Sequence, residues 1–228
     1  MTAPTKRVVF DYEHGVRPEG ADMEFRLTYE GPLLAETANR KLIPARATQK
    51  HDIRKRFHSQ LKRAWEVMPQ LNGSPYRGAR TILAVQSEIL PHTREALAER
   101  FARGAFNFVP MATRDMELLC ALDILFLRND PPGQVYHAGD IDNRVKTLLD
   151  ALRLPSDLGE LGSHTAPDED ERPFFVLLED DSLITKLSVE TDTLLEPIGE
   201  ADDPSDARVI ITVKIWPYMV YPENRAFS

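Results

Sequence analysis

The sequence predicts an α+β fold, one domain in which a mixed β-sheet packs against helices. Two patterns lead to it. Met23, Phe25, Leu27 and Tyr29 alternate with Glu24, Arg26 and Thr28, the period of a half-buried strand. Ile53, Phe57, Leu61, Ala64, Trp65 and Met68 recur at three- and four-residue spacing, the stripe of an amphipathic helix. A mixture of such strands and helices along 228 residues suits a single α+β domain with a proper core.

The elements follow in order. Residues 1–21 form an N-terminal extension, either a short strand over Val8–Tyr12 or a loose arm. The strand from Met23 to Tyr29 closes at Gly31-Pro32. The helix spans about Thr48 to Met68 and ends at Pro69, and Thr81–Gln86 reads as a further strand. Thr93 caps a short helix that ends at Gly104. Phe106–Met111 and Met116–Leu127 read as a strand pair, the second apolar on both faces and so central. After a loop carrying Pro131-Pro132-Gly133, a helix from about Asp142 to Arg153 buries Ile141, Val145, Leu148, Leu149 and Leu152. Pro155–Pro173 is an acidic insertion with the look of a mobile loop, and Phe174–Leu178 is an apolar run. Leu183–Leu194 and Arg208–Tyr221 complete the strands.

One cysteine, Cys120, excludes an intrachain disulfide, and Met1–Arg7 lacks the apolar stretch of a signal peptide. Leu118–Leu127, the longest apolar run, is too short to span a bilayer. These features point to a soluble, cytoplasmic protein without a membrane partner. The net charge is −8, but nine basic residues and the single acid Asp52 lie between Arg40 and Arg63. That segment carries +8 and leaves −16 for the rest. Arg46, Lys50, Arg54, Lys55, Lys62 and Arg63 are therefore candidates to grip nucleic-acid phosphates. A solvated helix face is the bland reading of the same cluster.

The chemistry concentrates in Gly139-Asp140-Ile141-Asp142-Asn143-Arg144-Val145-Lys146 and the residues that follow. In an extended approach Asp140 and Asp142 point the same way, while Asp142, Lys146 and Asp150 follow at i, i+4 and i+8 on one helix face. Two adjacent carboxylates suit a hard divalent cation such as Mg2+, with Mn2+ also possible. Asp180-Asp181 follows the apolar run, and convergence of Asp181 with Asp140 and Asp142 would make a metal site for phosphodiester hydrolysis. Lys146 would face the scissile phosphate or a metal-bound hydroxide. Read alone, paired aspartates before a helix are plain caps. Asp150 reads as structural, a partner for Lys146 or Arg153; Trp65 and Phe57 read as core, and Cys120 as a small buried residue.

The run Asp-x-Asp-Asn-x-x-Lys-x-x-x-Asp-Ala-Leu, here Asp140, Asp142, Asn143, Lys146, Asp150, Ala151 and Leu152, followed by Leu178, Asp180 and Asp181, resembles the RusA family of Holliday junction resolvases. The resemblance covers about residues 116–193. It implies a magnesium-dependent endodeoxyribonuclease acting in DNA recombination and repair, with Asp140, Asp142 and Asp181 as metal ligands and Lys146 required for cleavage. It also implies a homodimer that binds branched DNA. The acidic insertion beside such a site would discourage binding of linear duplex. Two alternatives remain beside it. One is a catalytically idle or repurposed RusA-like protein that binds DNA or protein. The other is a sugar-nucleotide transferase using Asp-x-Asp, which residues 1–139 disfavour because they show too few strand–helix units.

Overall fold

A computed structural model describes residues 23–35, 39, 41–68, 71, 93–129, 141–198, 203, 205–220 and 224–227. The expected N-terminal extension, the expected strand over Thr81–Gln86 and the proline-rich loop around residue 132 lie outside the described residues.

The architecture is mixed α+β. Strand β1 (Met23–Pro32) keeps the expected alternation, with Met23, Leu27 and Tyr29 buried and Glu24, Arg26, Thr28 and Glu30 exposed. Helix α1 (Ile43–Val67) begins before the expected Thr48, because Pro44 sits in its first turn, where a missing N–H costs nothing. It ends as expected, with Met68 already extended, the conformation favoured before a proline. Helix α2 (Arg94–Arg100) is capped by Thr93, whose side chain accepts the Ala96 N–H at 3.2 Å. Strands β2 (Ala102–Arg103), β3 (Phe106–Ala112) and β4 (Leu118–Arg128) lead to helix α3 (Ile141–Leu152). The chain finishes through β5 (Phe174–Leu178), β6 (Ile184–Thr193) and β7 (Asp206–Pro217).

The strands form two mixed sheets rather than one. The larger has the order β1-β7-β4-β6, in which β4 pairs antiparallel with β7 and parallel with β6. β4 is therefore internal to its sheet, as its apolar composition requires. The smaller sheet has the order β2-β3-β5, and β3 pairs parallel with β5. The expected pairing of Phe106–Met111 with Met116–Leu127 does not form. β3 and β5 bury every side chain except Asn107, so they are covered on both faces and cannot share the half-open outer sheet of β4.

One apolar cluster joins both sheets to the helices. The α1 stripe supplies Ile53, Phe57, Leu61, Ala64 and Trp65; Phe57 meets Tyr29 at 6.3 Å between ring centroids and Trp65 meets Phe175 at 6.0 Å. Each such large side chain contributes roughly 1.5–3 kcal/mol on burial. Among the described residues, no helix is long and apolar enough to cross a membrane.

The segment read as a mobile insertion is instead packed onto α1. It carries short 3-10 turns at Leu158–Leu161 and Glu169–Glu171, and the Ser163 N–H donates to Thr48 Oγ1 at 3.0 Å. Gly162 makes the close approach possible. Its φ is +60°, and a Cβ there would fall on the Thr48 backbone nitrogen. Gly162→Ala is expected to destabilise the protein by more than about 1 kcal/mol in urea unfolding. A loss below about 0.5 kcal/mol would mean that the contact does not hold the segment to α1.

Candidate functional site

The sequence motif opens α3. Asp140 lies outside the described residues. Asp142 occupies the first helical turn, is exposed, and accepts the Asn143 N–H at 2.8 Å; an acid there is favoured by the helix dipole. Lys146, one turn on, is also exposed. Val145, Leu148 and Leu152 are buried on the opposite side, and the Thr147 hydroxyl donates to Leu34 O at 3.1 Å.

Asp150 departs from the expected shared face. Each four-residue step on an α-helix turns about 40° past a full circle, so by Asp150 the row has rotated toward α1. There Asp150 accepts from Lys50 Nζ at 2.7 Å and from Arg153 Nε and Nη2 at 3.2 and 3.0 Å. Burial works against its charge, but Lys50 and Arg153 outweigh it and hold the carboxyl below its ordinary range. The expected pairing with Arg153 is present, and Lys50 takes the place of Lys146.

Of the second acidic pair, Asp180 is committed locally. Its side chain accepts the Ser182 N–H at 3.0 Å, capping the 3-10 turn Asp181–Leu183, and it pairs with Arg114 at 2.9 Å. Those Ser182 hydrogen bonds, helped by Arg114, lower its pKa. Asp181 is exposed.

The two halves of the motif stand apart. Ile184 pairs with Cys120, so Asp181 lies near the start of β4. What α3 brings to β5 is its far end, where the Leu154 N–H donates to Leu178 O at 2.8 Å. Asp142 precedes Arg153 by eleven residues, about 16 Å of helix at 1.5 Å per residue. The N-terminal half of α3 instead approaches the opposite end of the sheet. Thr147 bonds Leu34, and Leu33 donates to Ser205, next to the start of β7 that pairs with Arg128. Asp142 and Asp181 therefore lie toward opposite ends of β4. Among the described residues, no three metal-ligating side chains gather.

The basic segment is largely engaged within the protein. Arg54 is wholly buried; it donates to Asp150 O at 2.8 Å, to Arg153 O at 3.3 Å and to His51 Nδ1 at 3.1 Å, and lies 3.7 Å from Glu160. Lys50 is buried against Asp150. Lys55 pairs with Asp168 at 2.7 Å and Glu171 at 2.8 Å, and Lys62 donates to Asp170 O at 2.7 Å. Arg63, exposed, pairs with Glu66, and Arg46 is half-buried. In this arrangement Arg54 and Lys50 have no surface to offer a phosphate. The acids that answer α1 are Asp150 of α3 and Glu160, Asp168 and Glu171 of the insertion, and these pairs help to hold the insertion against α1.

Three histidines escaped the sequence reading. His51 and His58 flank Arg54 on the inward face of α1, spaced seven residues apart, which is the one signal they left. His164 Nε2 lies 2.8 Å from Asp52 and ties the insertion down. His58 Nδ1 accepts the Phe175 N–H at 2.8 Å, so the ring is held neutral on that side. No family model, curated protein or solved structure matches the chain.

Burial, reinforced by the Arg54 charge, holds His51 far below its ordinary value, at about 3, and burial lowers His58 as well. Both rings must be neutral in the folded protein. The contribution of His51 to stability is complete above the unfolded value near 6.5 and is lost as pH falls from there toward 3, and that of His58 is lost in the same direction. At pH 5 the loss from His51 alone is about 2 kcal/mol. Urea unfolding at pH 7.5 and 5.0 should show it, and His51→Gln should narrow the difference. Equal stability of the wild type at both pH values would contradict the assignment.

Proposed function

We propose that this chain is a magnesium-dependent, structure-selective endonuclease that hydrolyses phosphodiester bonds in branched DNA, working as a RusA-like homodimer. The observation that carries the reading is the exposed start of α3. Asp142 and Lys146 face solvent one turn apart, while the leucines of the same helix are buried and Asp150 is committed to Lys50. Asp181 is exposed in the same way, with the capping duty taken by Asp180. The unit of strand, basic helix and further strands before the motif is the order that the resemblance implies.

The donor set is oxygen only, which fits Mg2+ or Mn2+. Asp140 and Asp142 would hold the cation from one protomer. Because Asp181 of the same protomer lies toward the other end of β4, the third carboxylate would come from a second copy. The dimer is thus part of the site as well as a match to the two-fold symmetry of a four-way junction. When bound, the cation supplies Lewis acidity for water attack and for charge on the leaving oxygen. Lys146 places a positive charge beside the scissile phosphate. Of the six basic residues singled out in the sequence, Arg46 and Arg63 are the two not engaged with α3 or the insertion, and they would take flanking phosphates. Lys55 and Lys62 could join them only by exchanging the acids and carbonyl of the insertion for phosphate. The insertion then screens α1 from linear duplex.

A RusA-like protein that binds branched DNA or another protein without cutting is the second reading, and the separation of Asp142 from Asp181 within one protomer favours it. Cleavage of a four-way junction, a fork, a flap and a linear duplex with Mg2+ decides between them. The nuclease should cut branched substrates in preference to the duplex. Asp142→Asn and Asp181→Asn should each lower cutting by at least about a hundredfold while leaving the gel-shift affinity unchanged. A wild-type chain that cuts no branched DNA with either Mg2+ or Mn2+ would overturn the nuclease reading.

A further inference from the structure

We propose that β6 is the seam between two copies of this chain, paired antiparallel edge to edge about Ser188. β6 is a ten-residue edge strand, hydrogen-bonded to β4 alone among the described residues. Such an edge presents a row of unpaired backbone donors and acceptors. The register with β4 runs without irregularity from Ala121 onward, and β6 contains neither proline nor glycine, so of the usual devices that blunt an edge it keeps charged side chains alone.

The side chains of β6 are uncovered as well. Leu187 and Val189 align with Leu122 and Ile124, which are buried at 0% and 2% exposure, so they belong to the inner face of the sheet. Yet they are 44% and 38% exposed. The opposite edge differs: Met23, Leu27 and Tyr29 of β1 are buried beneath α1. The apolar inner layer therefore stops short at β6.

The sequence of β6 is complementary to itself. A two-fold axis perpendicular to the sheet pairs residues of the same face, and an axis at Ser188 sets Leu187 opposite the partner's Val189 and Lys186 opposite the partner's Glu190, each twice. Lys186 on its own would read as an edge guard, but here it meets an acid. Its side chain is 64% exposed and already leans to Asp123 at 3.1 Å on the outer face, where Glu190 also lies. An axis at Leu187 would oppose Lys186 with Ser188 and Glu190 with Ile184. An axis at Val189 gains Lys186 against Asp192 but leaves Leu187 against Thr191 and Glu190 against Ser188. The Ser188 register alone matches both the apolar and the charged positions. It joins the two outer sheets into one.

The same register carries Asp181 to the partner's Leu195, beside the end of the partner's β4, since the Leu194 N–H bonds Arg128 O within each chain. In this respect the inference deepens the proposed function and rests on it, but the experiment reads association alone. Charge variants that still dimerise as tightly would remove this seam and leave the shared site standing, whereas a monomeric wild type would remove the seam and the shared site together.

Sedimentation velocity of the full chain is the test. The wild type should be a dimer. Lys186→Glu and Glu190→Lys should each weaken self-association by roughly tenfold, because two opposite-charge pairs become like-charge pairs. Glu190→Lys leaves the Lys186–Asp123 pair intact, so that variant separates lost association from a damaged fold. Mixing the two single variants should restore wild-type-like dimers, since the reversed charges then face one another. A monomeric wild type would overturn the proposal. So would single variants that associate as tightly as the wild type and gain nothing on mixing.

Discussion

A guanidinium with no exposed surface must find all of its partners inside the protein, and Arg54 sets that constraint on this fold. A buried charge left unpaired costs several kcal/mol, so the residues around it are not free to vary independently. Its donors reach carbonyl oxygens at the end of α3, and its charge is answered by Glu160 from the insertion. Around it, Lys50, Asp150, Arg153 and Glu160 close a chain of ion pairs that links α1, α3 and the insertion. Such a network adds little net stability over well-packed apolar residues. Its effect is to fix one arrangement of three segments that apolar packing alone would leave free to slide.

That arrangement decides where the motif points. With the C-terminal half of α3 held against α1 by Asp150 and Arg153, its first turn projects outward and carries Asp142 and Lys146 into solvent. The leucines on its other side prevent it from turning over. The network also explains how a chain of net charge −8 can carry so basic a helix. Much of the positive charge of α1 is matched at short range by Asp150, Glu160, Asp168 and Glu171. Little of it is left as a long-range field, so any phosphate would be recognised locally.

The local patterns were legible because each depends on neighbours in sequence. Period-two alternation in β1, the apolar stripe of α1 and the leucines of α3 all follow from burial of one face. Asp150 and Phe57 were also readable as structural, the first as a partner for a basic residue such as Arg153 on the same helix, the second from the stripe. What was hidden depends on contacts between distant segments. Lys50 and Asp150 are 100 residues apart in sequence, and nothing local distinguishes Lys50 from an exposed lysine. The separation of β3 from β4 into two sheets was hidden for the same reason, since two apolar runs joined by a turn look like a hairpin. Complementary charge in the basic helix and the acidic insertion was visible, and it was the available sign that the two dock. The candidate site was legible as a motif in Asp142, Lys146 and Asp181. The distance between its halves was not, because it depends on which end of α3 meets β5.

The central claim is that Asp142 and Asp181 serve one cleavage site only when they come from different protomers. Two inactive chains, Asp142→Asn and Asp181→Asn, can be co-expressed with different affinity tags and the mixed dimer purified through both. If the carboxylates are shared across the dimer, one of its two sites is fully intact. The mixed dimer should then nick a four-way junction in Mg2+ at about half the wild-type rate, on one strand at a time. If Asp142 and Asp181 of the same chain form the site, neither site is intact, and a mixed dimer no more active than either parent would contradict the account.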